Sequence, residues 1–179
     1  MRLFISVLLF FVSTACCAQQ FMTRDGHVHF FSSTPIEDIE ADNHQMSGLL
    51  EESTGEFAFQ VQMRAFHFEK ALMEEHFNEN YVESESHPSA TFQGTIEPWR
   101  PDLKDGKPHD VVAKGTFECH GIAQDQEIRG KITWTEDAWR IEAEFEVALA
   151  DHGIDVPAVV RDNIAERIAA DVHATLLPR

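Results

Sequence analysis

Apolar and polar residues alternate with a period of two along most of the chain. In the segment EFAFQVQM, Phe57, Phe59, Val61 and Met63 fall on one face. The same alternation recurs in residues 27–30, 92–96, 115–119, 128–134, 139–147 and 168–176. This pattern is typical of β-strands with one buried face. Short turn-rich breaks and one longer loop separate the segments, which predicts an all-β antiparallel barrel or sandwich.

Residues 68–80 interrupt this alternation with the pattern of an amphipathic helix. Apolar residues recur there at helical spacing, at Phe68, Leu72, Met73 and Phe77. Charged residues fall on the opposite face, at Glu69, Lys70, Glu74 and Glu75. A helix in an all-β chain must bury its apolar stripe, and the end of a barrel offers a suitable surface. We therefore predict one amphipathic helix that caps an end of the barrel.

The first 18 residues have the pattern of a secretory signal peptide. Arg2 precedes an apolar run at residues 3–12, and small residues lead up to Ala18. The run is too short for a transmembrane helix, so no integral membrane span is predicted. Cleavage after Ala18 would release a periplasmic or secreted protein. The alternative is a lipoprotein anchored through Cys16 or Cys17.

The charge and cysteine content narrow the function classes. The 179 residues carry 14 basic and 31 acidic side chains, a formal net charge of −17. Such a surface repels nucleic acid and anionic membranes, so neither is predicted as a partner. Cys119 alone remains after signal cleavage, which excludes an intramolecular disulfide. A chain of this length favours a single domain with its own packed core.

The sequence offers no convincing catalytic or metal-binding constellation. His27 and His29 share one face of a predicted strand. Because the apolar Val28 and Phe30 are expected on the inner face, both histidines should point outward. His67, His76 and His87 are nine and eleven residues apart, which does not match the close pairs of zinc sites. Cys119 is expected to be a buried, inert thiol. We therefore predict a protein without catalytic residues, resident metal or cofactor.

Four segments resemble the YceI-like family. Residues 68–94, FEKALMEEHFNENYVESESHPSATFQG, are similar to its signature helix and following strand. GHVHFFSSTPIEDIEADN resembles its first long strand and turn, and GTFECHGIAQD its HG-containing segment. DHGIDVPAVVRDNIAERI resembles the stretch before its last strand. The resemblance covers about residues 20–177, which we take as the domain.

The resemblance implies a lipocalin-like, eight-stranded antiparallel barrel in the periplasm. Its interior would hold a polyisoprenoid or a fatty-acyl lipid as the single hydrophobic small-molecule partner. The oligomeric state stays open, with a homodimer among the options. From the residues alone, the inward aromatic side chains fit a solid core as well as a lined cavity, and the resemblance favours the cavity.

The candidate ligand-binding residues combine inward apolar side chains, the helix stripe and small residues that would leave space. They are Phe57, Phe59, Val61, Met73, Phe77, Phe92, Gly94, Gly115, Phe117, Ile132, Trp134 and Phe145. Two alternatives stay open beside a lipid-binding protein. One is an enzyme that acts on such a lipid, and the other is a secreted structural or stress protein with a solid barrel.

Overall fold

The computed structural model describes residues 19–179, so the predicted signal peptide lies outside the described residues. Its nine strands are β1 (Gln20–Ser33), β2 (Asp38–Glu51), β3 (Glu56–Gln62), β4 (His67–Phe68), β5 (Ser89–Glu97), β6 (Pro108–Cys119), β7 (Ile122–Thr135), β8 (Ala138–Ala148) and β9 (Arg167–Pro178). The helix α1 (Ala71–His76) continues into a π-helical turn at Phe77–Tyr81. Short 3-10 helices occupy Met63–Ala65, Pro101–Lys104, Leu149–His152 and Ala158–Asn163.

Eight of the strands close into one antiparallel barrel. The order runs β1-β9-β8-β7-β6-β5-β3-β2, and β1 pairs with β2 to complete the ring. The two-residue β4 pairs with β2 at Ala41 and Asp42 without interrupting closure. Closure leaves no open sheet edge among the eight long strands. The predicted eight-stranded barrel with one short helix is confirmed.

The alternation of apolar and polar residues did not predict strand β2, and the structure explains why. Asn43 lies at an inward position, fully buried, and its side chain donates to the Gln62 carbonyl at 2.9 Å. The β1–β2 register also shifts on both sides of Gly26. A bulge inserts an extra residue and breaks the period of two. A polar inward residue and a bulge together hide the alternation of this strand.

The two ends of the barrel are built differently. At the tryptophan end (Phe21, Trp99, Trp134 and Trp139), aromatic rings contact one another at centroid distances of 4.9–5.5 Å. Leu103, from the loop between β5 and β6, is 1 % exposed and helps to close this end. The helix end carries α1, the π-helical turn and the segment between β8 and β9. The strands run between these two ends and enclose the core.

The helix is shorter than predicted and is rotated relative to the predicted stripe. Phe68 belongs to β4, and α1 begins only at Ala71. Met73 and Phe77 face the barrel interior, whereas Leu72 is 60 % exposed, so its assignment to the buried stripe is wrong. Glu74 is not simply a solvated residue, because its carboxylate accepts a hydrogen bond from the Phe68 amide at 3.2 Å. In a helix of six residues, few positions can face the barrel.

Candidate ligand-binding cavity

The barrel encloses an apolar cavity of about 390 Å³. Inward side chains from every long strand line it, together with residues from α1 and from the segment between β8 and β9. The volume lies within the range of about 300–1,000 Å³ typical of small-molecule sites. The interior is therefore a lined cavity rather than a solid core.

Nine of the twelve residues predicted from the sequence line this cavity. They are Phe57, Phe59, Val61, Met73, Phe77, Phe92, Phe117, Ile132 and Phe145. Their strands are brought together in register: Phe59 pairs with Phe92, and Phe92 with Phe117. Paired residues on antiparallel strands point to the same face, so the three rings form one part of the wall.

Gly94 and Gly115 do not line the cavity. They lie opposite each other in the β5–β6 pair, on the register that faces inward. A Cβ atom at Gly94 would overlap the Lys114 carbonyl, and one at Gly115 would overlap the Gln93 carbonyl. These glycines allow the two backbones to approach closely, rather than leaving space for a ligand.

Trp134 also lies outside the cavity lining, because it belongs to the tryptophan end. The Lys104 ammonium lies 3.9 Å from the centroid of the Trp134 ring and forms an ion pair with Glu52. The Trp99 indole donates to the Glu52 carbonyl at 2.7 Å. A cation over an aromatic face and a partly buried hydrogen bond both stabilise such a closure. Trp134 therefore helps to close the tryptophan end of the barrel.

The helix end is closed by an aromatic cluster consisting of Phe30, Phe66, Phe68 and Phe77. Their ring centroids are 5.1–5.6 Å apart, with tilted or edge-on geometry. All four rings line the cavity. The cluster joins β1, the short β4 and the helical segment, so a displacement of the helix would open this part of the wall.

Polar groups of the cavity wall lie mostly at the helix end. The Glu37 carboxylate accepts hydrogen bonds from Lys70 at 3.0 Å and from the Asn163 amide at 3.2 Å. These two hydrogen bonds, with the charge of Lys70, hold the pKa of Glu37 below its usual value. Glu37 and Asn163 both line the cavity. The contacts tie the β1–β2 turn to Lys70, the residue that precedes α1, and to the 3-10 helix Ala158–Asn163.

Several lining residues were missed by the sequence reasoning. The segment between β8 and β9 contributes Leu149, Ile154, Val160 and Ile164. Its apolar residues follow no strand or helix period, because the chain crosses the helix end in irregular and 3-10 structure. For Ile154, Val160 and Ile164, the available signal was their position within the family-like segment DHGIDVPAVVRDNI, whereas Leu149 lies just before it.

Cys119 lies in the cavity wall and is buried, as predicted. Burial raises the pKa of its thiol to about 11, and a hydrogen bond from the His120 backbone offsets only part of this. The thiol is therefore protonated at neutral pH and is a poor nucleophile. His120 follows in a left-handed turn conformation, with φ of 52°.

A family model described as the YceI-like domain matches residues 20–176. The chain belongs to the YceI-like family. The match spans the whole barrel, from the first residue of β1 to near the end of β9. A search of curated protein sequences gives no match.

Solved structures share this fold at low sequence identity. A polyisoprenoid binding domain from Saccharophagus degradans, implicated in plant cell wall breakdown, is 12 % identical with a TM-score of 0.77, covering 90 % of this chain and 99 % of that one. BcnA of Burkholderia cenocepacia is 11 % identical with a TM-score of 0.71, covering 84 % and 95 %. The Campylobacter jejuni YCEI protein is 8 % identical with a TM-score of 0.57, covering 100 % and 93 %.

These similarities establish the YceI-like barrel for this chain. Among residues 19–179, none of the helices has the length and apolar character needed to span a membrane.

Proposed function

We propose that the protein binds one long apolar lipid chain, of the polyisoprenoid or fatty-acyl type, inside the barrel. The observation that carries this proposal is the apolar cavity of about 390 Å³, which is lined along its length by aromatic and aliphatic side chains. Burial of apolar surface contributes roughly 25 cal/mol per Å² before the cost of ordering the chain. The polyisoprenoid binding domain among the solved relatives is consistent with such a ligand.

The dimensions of the wall indicate how much chain fits. On β9, lining residues extend from Ile168 near the helix end to Ala174 near the tryptophan end. Six residue steps span about 20 Å along a strand. With a strand tilt of about 40°, this corresponds to roughly 15 Å along the barrel axis. Affinity should therefore rise with chain length up to an extended chain of about that length and then level off.

The lipid head group is expected at the helix end, beside Glu37 and Asn163. The Glu37 carboxylate and the Asn163 amide can hydrogen-bond to a hydroxyl head, and the excess of acidic side chains in the chain disfavours an anionic one. A fatty alcohol should therefore bind more tightly than the fatty acid of equal chain length. Glu37→Gln should reduce this preference, whereas Glu40→Gln, which changes an exposed acid on β2, should leave it unchanged. Equal preference in the parent and Glu37→Gln would contradict this placement of the head.

The first test of the proposal is mass spectrometry of an organic extract from the pure protein. A stoichiometric long-chain lipid is the expected result. The extracted protein is then titrated with prenyl and acyl chains of increasing length. An affinity that ignores chain length would refute the proposal.

The same material distinguishes binding from catalysis. A bound lipid that is recovered chemically unchanged after long incubation supports a binding protein. Turnover of the lipid, abolished by replacing a polar lining residue such as Glu37, would favour the enzyme alternative.

We further propose that the protein acts in the periplasm or outside the cell after export. The proposal rests on the signal-like pattern of residues 1–18. Intact-mass measurement of protein from its native host should show an unmodified chain that begins at Gln19. A diacylglycerol modification at Cys16 or Cys17 would instead identify a tethered lipoprotein.

A further inference from the structure

Three potential metal ligands meet on the rim of the helix end. Glu83 and His87 lie in the turn that follows the π-helical turn, and His120 lies in the hairpin between β6 and β7. The Glu83 carboxylate oxygen Oε2 is 3.5 Å from His120 Nε2 and 4.0 Å from His87 Nε2. In a tetrahedral zinc site with bonds of about 2.1 Å, neighbouring ligand atoms lie roughly 3.4 Å apart. The observed separations are close to that spacing.

The backbone holds His120 in the orientation that a metal ligand needs. Its Nδ1 lies 3.0 Å from the His152 carbonyl oxygen, which can only accept a hydrogen bond, so Nδ1 carries a proton. With Nδ1 as the hydrogen-bond donor, Nε2 is the ring nitrogen left to bind a metal ion, and it lies 3.5 Å from Glu83 Oε2. A histidine ligand commonly donates its second ring N–H to a carbonyl or carboxylate in this way. The His152 ring, in turn, contacts the Ile122 carbonyl at 3.2 Å, and His152 is fully buried.

The second ring nitrogen of His120 has no hydrogen-bond partner among residues 19–179, although it is buried. Instead, the Nε2 lone pair faces a carboxylate oxygen, which is also an acceptor. Two acceptors that face each other are unfavourable unless a proton or a cation lies between them. A cation matches the arrangement better than a proton, because His87 Nε2 lies 4.0 Å from the same carboxylate oxygen and supplies a third potential metal ligand.

His87 is also held in place. Its backbone amide donates to the Glu83 carbonyl at 2.9 Å. Its ring packs against the ring of His120 at 4.5 Å and over Gly121, where a Cβ atom would lie 2.9 Å from the ring. The two imidazole rings are therefore held in place before any ion binds, which lowers the entropic cost of binding.

We propose that Glu83, His87 and His120 form a binding site for a divalent transition-metal ion of the zinc type, with water completing the coordination. Two imidazoles and one carboxylate are a ligand set that suits Zn²⁺ and Co²⁺. The net charge of −17 attracts cations to the surface. A bound ion would join the turn after the helical segment to the β6–β7 hairpin and so fix the position of the helix end.

The test must separate this site from a histidine cluster on the outer wall. There, His27, Asp42 and His44 also lie within 4.8 Å of one another through their ligand atoms. Titrations are therefore performed on His44→Ala protein that carries no polyhistidine tag. Zn²⁺ binding is followed by calorimetry, and Co²⁺ binding by its visible absorption, which reports the coordination geometry.

Glu83→Gln is the decisive variant because it keeps the shape of the side chain and removes its charge. Glu85→Gln is the matched control, since Glu85 lies two residues away, is exposed and pairs with Arg64. His120→Asn is the second variant, because asparagine tolerates the positive φ of that turn. Circular dichroism and melting curves verify that each variant is folded.

We expect one ion per chain in the His44→Ala protein and in its Glu85→Gln derivative. Glu83→Gln and His120→Asn should each weaken Zn²⁺ binding by at least about tenfold and alter the Co²⁺ spectrum. Equal binding by Glu83→Gln and Glu85→Gln would overturn the proposal. The absence of saturable binding in the His44→Ala protein would also overturn it, because the cluster would then hold only a proton.

Discussion

Ala143 offers the most direct test of the cavity, because it is a small residue in the middle of the wall. It lies on β8, paired with Gly130 and Val172, and its side chain lines the cavity. Substitution of Gly115 would not serve, since any Cβ atom there would overlap a carbonyl of the neighbouring strand. At Ala143, a larger side chain would extend into the cavity instead. We therefore consider Ala143→Leu.

The expected effect follows from the volume that the new side chain occupies. Leucine adds three carbon atoms to alanine, so the cavity loses room for about three methylene groups of ligand. Each buried methylene contributes about 0.8 kcal/mol, which makes the loss about 2.4 kcal/mol for a chain that fills the parent cavity. That loss corresponds to roughly a 50-fold weaker Kd. A chain about three methylenes shorter should bind with nearly unchanged affinity.

The assay is a titration of extracted protein with acyl and prenyl chains of increasing length. Tryptophan fluorescence provides the signal, because Trp134 and Trp139 stand at the end of the cavity. Ala169→Leu is the matched control, since Ala169 neighbours the inward Ala170 on β9 but is exposed. The plateau in affinity should move to shorter chains in Ala143→Leu alone. If both variants bind every chain as the parent does, the ligand does not occupy the cavity.

Three further predictions concern stability. Phe77→Ala should lower the free energy of unfolding by about 2 kcal/mol, which is less than the roughly 3–5 kcal/mol of a fully buried phenylalanine because Phe77 is only half-buried. Leu72→Ala on the exposed side should change it by less than about 0.5 kcal/mol, and equal losses in urea unfolding would show that the helix is placed wrongly. Lys104→Ala should lower the free energy of unfolding by about 1–2 kcal/mol, because the cation–π contact with Trp134 is lost. Lys107→Ala, at an exposed position, should have little effect, and equal thermal melts of the two variants would contradict this role of Lys104. Partial burial raises the pKa of Asp42, but hydrogen bonds and charge from two histidines outweigh it, so the pKa lies below 3.8. The ionised Asp42 therefore stabilises the fold above pH 3.8 and loses this effect as the pH falls through its folded-state pKa. Melting temperatures of the parent and Asp42→Asn should differ at neutral pH and converge in acid, and a constant difference would refute the assignment.

The strand pattern was predictable because the period of two survives wherever the wall is apolar. Phe57, Phe59 and Val61 alternate without interruption, and their inward direction followed directly from the sequence. The pattern failed where polar packing or a bulge intervened. Asn43 is buried by hydrogen bonds to the backbone rather than by apolar contact, and no hydropathy pattern reveals this.

Residue size was a poor guide to which inward positions border the cavity. Gly115 and Ala143 both lie on inward registers, yet only Ala143 faces free space. The difference depends on how closely two neighbouring backbones approach, which is a property of the paired strands.

The cluster of Glu83, His87 and His120 also could not be predicted from the sequence. Its two histidines are 33 positions apart in the sequence, and only the meeting of a turn with a hairpin makes them neighbours.

An empty cavity of this size would lower the free energy of unfolding, and this cost bears on whether the cavity is filled. In protein cores, an unfilled cavity costs about 24 cal/mol per Å³, which gives roughly 9 kcal/mol for 390 Å³. A domain of ordinary size is stable by only about 5–15 kcal/mol in total. Space on this scale is difficult to maintain dry and empty, and an apolar wall gives water few hydrogen bonds. Closure of the strand ring, the buried tryptophan end and the aromatic cluster at the helix end stabilise a scaffold that tolerates this cost, and the proposed lipid would offset it by filling the cavity.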